Sequence, residues 1–257
     1  MNRLNARGSL SATVLGLSLI GVAAVTQKAS AVDFVVRIED VSTGHTLRTS
    51  KGDKAVGLSP GAWCLHTGGN PMYTVGRRAA TMLERMAEDG NPEGFYSDLQ
   101  FNRAVKATGA FNYAATPYPV AGFIGPKQAF EIVIKNAVRG DRLSFVTMMI
   151  ESNDWFYANN KNGIALFGAD GTPTSGNITH LIGLFDAGTE ANEEPGVGMH
   201  QAPRQNRPDT GRTTKSAVYA LRPPSAGVGG SMGLGAGDRR WKGPQVGYVI
   251  RVTITPR

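Results

Sequence analysis

Several stretches alternate apolar and polar residues with a period of two. In QAFEIVIKN, Phe130, Ile132 and Ile134 fall on one side and Glu131, Val133 and Lys135 on the other, the pattern of a strand with Glu131 turned away from the apolar trio. GYVIRVTITPR sets Tyr248, Ile250, Val252 and Ile254 against Val249, Arg251, Thr253 and Thr255. VDFVVRIEDVS, rich in β-branched residues, and the short AWCLHT read as two further strands. RLSFVTMMIES and THLIGLFDAG are instead continuous apolar runs, and the first suits a central strand. Only residues 74–89 change the period. Val75, Ala79, Met82, Leu83 and Met86 share a helical face there, and GNP follows as a stop. Strands separated by turn signals around one helix predict an all-β chain with a helical insertion, folded as an antiparallel β-sandwich. Residues 196–245, rich in Gly, Pro, Arg and Asn, read mostly as loop.

The first 31 residues stand outside this pattern. Arg3 and Arg7 precede 16 largely apolar residues at 10–25, and KASA ends in the Ala-x-Ala spacing of Ala29 and Ala31. This is the layout of a secretory signal peptide, and the apolar stretch is shorter than the roughly 20 residues that span a bilayer. Cleavage after Ala31 leaves one domain, 32–257, expected in the periplasm or outside the cell, with no transmembrane segment. It also removes Arg3, Arg7 and Lys28 and no acid, taking the formal charge from +7 to +4. The remaining basicity is dispersed, which argues against nucleic acid as a partner. The single cysteine, Cys64, excludes an intramolecular disulfide and reads as a buried small hydrophobe.

Acids collect where two of the apolar runs end. Asp154 follows FVTMMIESN, Asp186 follows LIGLF, and Glu190 lies four residues beyond Asp186, past the small Ala187 and Gly188. If the two strands are neighbours, all three carboxylates can converge on one rim. Converged carboxylates repel unless a cation sits among them, and an oxygen-only donor set favours a hard ion such as Ca2+. Glu131, inside its strand, is a weaker fourth ligand. No EF-hand loop is present.

ESNDWF (151–156), LFDAGTE (184–190), MAEDGNP (86–92) and GDRLSFVTMMI (140–150) together resemble the spondin N-terminal domain family, over roughly residues 32–195 and again in the last strand. The resemblance implies a β-sandwich similar to calcium-dependent lipid-binding domains, with calcium at one end. It also implies that Asp154, Asp186 and Glu190 are the ligands. Glu190 stands where the animal pattern has an aspartate. The disulfide cysteines and flanking modules of the animal members are missing here.

Other chemistry is thinner. GGSMG (229–233) fits the G-x-S-x-G pattern with Ser231 as nucleophile, but PPSAGV before it and LGAGDRR after it are not the strand and helix that this motif requires. His45, His66, His180 and His200 are too scattered for a zinc motif. RGD at 139–141 spells an adhesion tripeptide inside a turn, Asn177 begins a glycosylation sequon, and residues 202–208 form a basic loop. Trp155 and Phe156 are expected to pack beneath the acidic loop. The chain is thus expected to be a non-enzymatic, calcium-binding module of binding or adhesion type that meets a protein or glycan surface. The alternatives are a self-assembling structural subunit of an envelope or extracellular assembly, and a serine hydrolase using Ser231.

Overall fold

The computed structural model describes residues 31–115, 120–221, 241 and 243–257. Among the described residues eleven strands form two sheets, and every pairing is antiparallel. The smaller sheet has the order β4 (Ala129–Ala137), β1 (Val32–Asp40), β11 (Ile250–Pro256), β8 (Gly176–Asn177). The larger runs β10 (Tyr219–Ala220), β9 (Ile182–Asp186), β6 (Trp155–Asn159), β5 (Arg142–Met149), β2 (Leu58–His66), β3 (Val105–Phe111), with β7 (Ile164–Ala165) beside β5. Helices α1 (Thr81–Asp89) and α2 (Glu93–Leu99) lie between β2 and β3 in the chain. The architecture is an antiparallel β-sandwich with a helical insertion.

Two apolar layers explain the two kinds of apolar pattern. Phe34, Val36 and Ile38 of β1, Phe130, Ile132 and Ile134 of β4, and Ile250, Val252 and Ile254 of β11 fill the space between the sheets. Their partners on the other face are polar or partly exposed, with the buried Val35 as the exception, so these strands alternate. The large sheet is covered on both sides. Leu143, Phe145, Trp155, Tyr157 and Leu184 point into the sandwich, whereas Cys64, Val146, Met148, Phe156 and Phe185 meet Leu83 and Met86 of α1 and Phe95 and Leu99 of α2. A strand buried on both faces reads as a continuous apolar run, as β5 does. Cys64 is fully buried and burial pushes its thiol up to about 12, so it packs and does not react.

The structure corrects two boundaries and adds elements that the pattern did not show, namely α2 and strands β3, β6, β7, β8 and β10. The helix begins at Thr81 rather than 74, because Gly76 takes φ 83° and donates to the Val218 carbonyl while Arg77 accepts from the Val218 N–H. Its end falls as expected, with Gly90 left-handed at φ 63°. The short α2 has too few turns to show a period. Tyr248 leaves the inward face of the last strand and is 56% exposed, with Val249 buried in its place.

Candidate cation site

Antiparallel pairing puts β6 and β9 side by side, with Trp155 opposite Asp186. Two of the predicted ligands therefore meet at one end of the large sheet. Asp186 closes β9 and is 1% exposed. Its Oδ1 accepts the Gly188 N–H (2.8 Å), and its Oδ2 accepts the Trp155 indole N–H (3.0 Å), Asn192 Nδ2 (2.6 Å) and the Tyr219 hydroxyl (2.6 Å). Trp155 and Phe156 are buried, so they pack beneath the loop, and Trp155 also orients an acid.

Asp154 immediately precedes β6 and is wholly buried. Its Oδ2 accepts the Thr189 N–H (2.8 Å), the Thr189 hydroxyl (3.3 Å) and the Glu190 N–H (3.1 Å), while its Oδ1 has no partner. Burial raises its pKa well above the usual carboxylate range, and the Asp186 charge and then Glu88 push it in the same direction. Burial also raises Asp186, but four donors oppose it. Of the pair, Asp186 is the better stabilised anion and Asp154 the group short of a partner.

Glu190 turns its carboxylate elsewhere. Oε2 accepts from Asn153 Nδ2 (3.1 Å) and Oε1 from the Gly211 N–H (2.7 Å). Oxygen atoms of Glu190, Glu88 and Asp209 lie within 4.8 Å of one another, so the expected trio is divided between two adjoining acidic groups. Thr189 lies between them: its hydroxyl donates to Asp154 Oδ2 at 3.3 Å, and it is close enough to Glu88 to hold that acid down. Glu88 comes from α1, is 3% exposed, and is pushed up to about 8 by burial and then by Glu190 and Glu84, against the Thr189 bond. Asp209 is exposed, and Glu88 and Asp209 line a cleft of about 550 Å³ with Glu84, Arg85 and Asp89.

No ion pair between described residues reaches Glu88, Asp154, Asp186 or Glu190. Four buried carboxylates without an ion-pair partner among the described residues favour protons or a bound cation. An orphaned Asp154 oxygen and an all-oxygen donor set fit a hard divalent ion. The local backbone serves this arrangement. Gly188 has φ 72°, and a Cβ there would lie 2.8 Å from the Ser216 carbonyl oxygen. A methyl group at Gly211 would overlap the Glu190 carboxylate.

The remaining sequence candidates fall outside the cluster. Glu131 is on the solvent face of β4, 3.2 Å from Arg37. Asp141 of the RGD tripeptide is 2% exposed, takes the Val138 N–H and pairs with Lys106, so it is not displayed for adhesion. His66 contacts Ser144 at 2.8 Å, but both are fully buried. His200 pairs with Glu193 at 2.8 Å, and the side chain of Asn177 caps the Thr179 N–H. Ser231 and residues 1–30 lie outside the described residues. Among the described residues, no helix is long and apolar enough to cross a membrane. A scan against models of protein families matches none, and no curated protein matches the chain.

Proposed function

We propose that this chain is an exported, non-enzymatic, calcium-binding β-sandwich of spondin type that acts as a binding or adhesion module. The observation that carries the reading is the unpartnered, fully buried Oδ1 of Asp154 beside Asp186, neither of which has an ion-pair partner among the described residues. Asp154, Asp186 and, once its carboxylate turns from Asn153 and the Gly211 N–H, Glu190 are the proposed ligands, and Glu88 and Asp209 extend the acidic set. A bound ion neutralises the charge at the rim and ties α1 to the 187–216 loops, which together form the surface offered to a protein or glycan. Isothermal titration with calcium tests the site. The wild-type protein is expected to take up calcium and Asp154→Asn to lose uptake, while Glu131→Gln, on the other sheet, retains it. Equal uptake by wild type and Asp154→Asn would refute the assignment.

A further inference from the structure

A separate cleft of about 640 Å³, the size of a small-ligand site, shares no residue with the acidic cluster. One wall is an arm of residues 43–54. The Thr43 N–H donates to Thr46 Oγ1 (2.8 Å), the Thr46 N–H donates to the Thr43 carbonyl (3.0 Å), and Leu47 and Lys54 exchange backbone bonds of 2.9 Å. Leu47 packs into the core and anchors the arm, so His45, Arg48 and Asp53 are held along the cleft. The other wall is the approach to β11. A 3₁₀ turn over Val246–Tyr248 hands Val249 to the core, where its carbonyl accepts the Val41 N–H (2.8 Å), and turns Tyr248 outward. Tyr248 therefore lines the cleft, as does Arg251.

The charges around the cleft indicate what it takes. His45 Nδ1 is 3.5 Å from Asp53, and Arg251 is 3.6 Å from Glu39. Arg48 is exposed and has no ion-pair partner among the described residues. Two further acids near the arm do not line the cleft: Glu194 accepts the Ser50 N–H and hydroxyl, and Glu151 pairs with Lys54 and Arg204. The lining thus presents a free guanidinium, a carboxylate whose neighbour is a histidine, and an aromatic face. We propose that the cleft binds an acidic sugar, a uronic acid unit of a glycan. The sugar carboxylate forks onto Arg48, its hydroxyls donate to Asp53, and the C–H face of its ring packs on Tyr248. Asp53 and Glu39 oppose a dianion such as phosphate. Among the described residues Val41 is the one aliphatic side chain in the lining, which leaves no pocket for an apolar peptide anchor.

None of the proposed calcium ligands lines the cleft, so the test is run in chelator and does not depend on the cation site. Isothermal titration uses the chain from Val32 onward, which contains every described strand and helix. It is expected to bind a galacturonate trimer at least about tenfold more tightly than the neutral galactose trimer. Arg48→Gln should bring the uronate down to the neutral level, and Arg48→Lys should restore only part, because an ammonium lacks the planar fork. Tyr248→Ala should weaken both sugars by about fivefold to tenfold. Both positions are exposed, and circular dichroism should be unchanged in all three variants. The proposal is overturned if the wild-type chain binds neither trimer or both equally, or if Arg48→Gln and Tyr248→Ala bind as the wild type does. Displacement of the uronate by inorganic phosphate at the same concentration would overturn it too, and assign the cleft to small anions in general.

Discussion

Asp186, the last residue of β9, and Asp154, just before the neighbouring β6, share one buried rim but are unequally satisfied: Asp186 receives four donors, whereas Asp154 keeps one oxygen without any. The inequality predicts different responses to amidation. Asp186→Asn places an amide among donors and should cost about 1–3 kcal/mol through unsatisfied groups. Asp154→Asn can keep its oxygen on the Thr189 and Glu190 N–H groups and removes a buried charge, so in chelator its stability should equal or exceed the wild-type value. Urea unfolding of both variants in chelator distinguishes the two.

Glu88 should respond in opposite directions with and without calcium. Burial holds its carboxyl up at about 8, above the ordinary 4.5. Its unmet charge therefore costs stability increasingly as pH rises from about 4.5 through about 8. Glu88→Gln in chelator should be more stable than wild type above that range and equal to it at low pH. In calcium the same substitution should reduce the stabilisation by metal, because it removes one of the acids around the ion. Melting temperatures measured across pH, with calcium and with chelator, check both signs.

Asp40 supplies a pH response of its own. It is fully buried at the end of β1, accepts the Ser42 N–H at 2.8 Å through Oδ1, and leaves Oδ2 unpartnered. Burial raises its pKa from 3.8 to about 6. Below the unfolded value the group is protonated in both states and carries no penalty. As pH climbs toward about 6 the folded state resists losing the proton, and stability falls to a plateau above that. The difference corresponds to about 3 kcal/mol at neutral pH. Asp40→Asn keeps the Ser42 acceptor and should recover most of it at pH 7 but little at pH 4, as read by chemical denaturation at both values.

Gly188→Ala should destabilise the fold by about 1–3 kcal/mol, through positive φ and the approach to Ser216. Because Gly188 lies between Asp186 and Thr189, the same substitution should weaken calcium uptake, measured by titration.

Strands β1, β2, β4, β5, β9 and β11 were legible because burial on one face or two leaves either alternation or a continuous run, as around Phe130 and Val146; β3, the five-residue β6 and the two-residue β7, β8 and β10 were not. The start of α1 was not, since Val75 and Ala79 keep helical spacing while the backbone at 76–78 pairs with residues 217 and 218 instead. In the site, Asp154 and Asp186 could be placed at the ends of the β5 and β9 runs, but these are not neighbours: β6, which the pattern did not show, lies between them and brings Trp155 opposite Asp186. Glu88 could not: it follows the apolar Met86 and Ala87 on a helix and reads as a solvated residue until the 189–211 segment covers it. Asp209 sits in a loop with no periodic signal, and its distance from Glu190 is set by tertiary contacts such as the Gly211 N–H to Glu190 bond.

Thermal unfolding of the chain with excess chelator and then through a calcium titration, run beside Asp154→Asn, tests the cation site most directly. A ligand bound only by the native state raises the melting temperature as its concentration passes the dissociation constant. The proposed site requires a calcium-dependent rise in the wild-type protein that Asp154→Asn abolishes or greatly reduces. An unchanged melting temperature in the wild type across the titration, or an equal rise in both proteins, would contradict it.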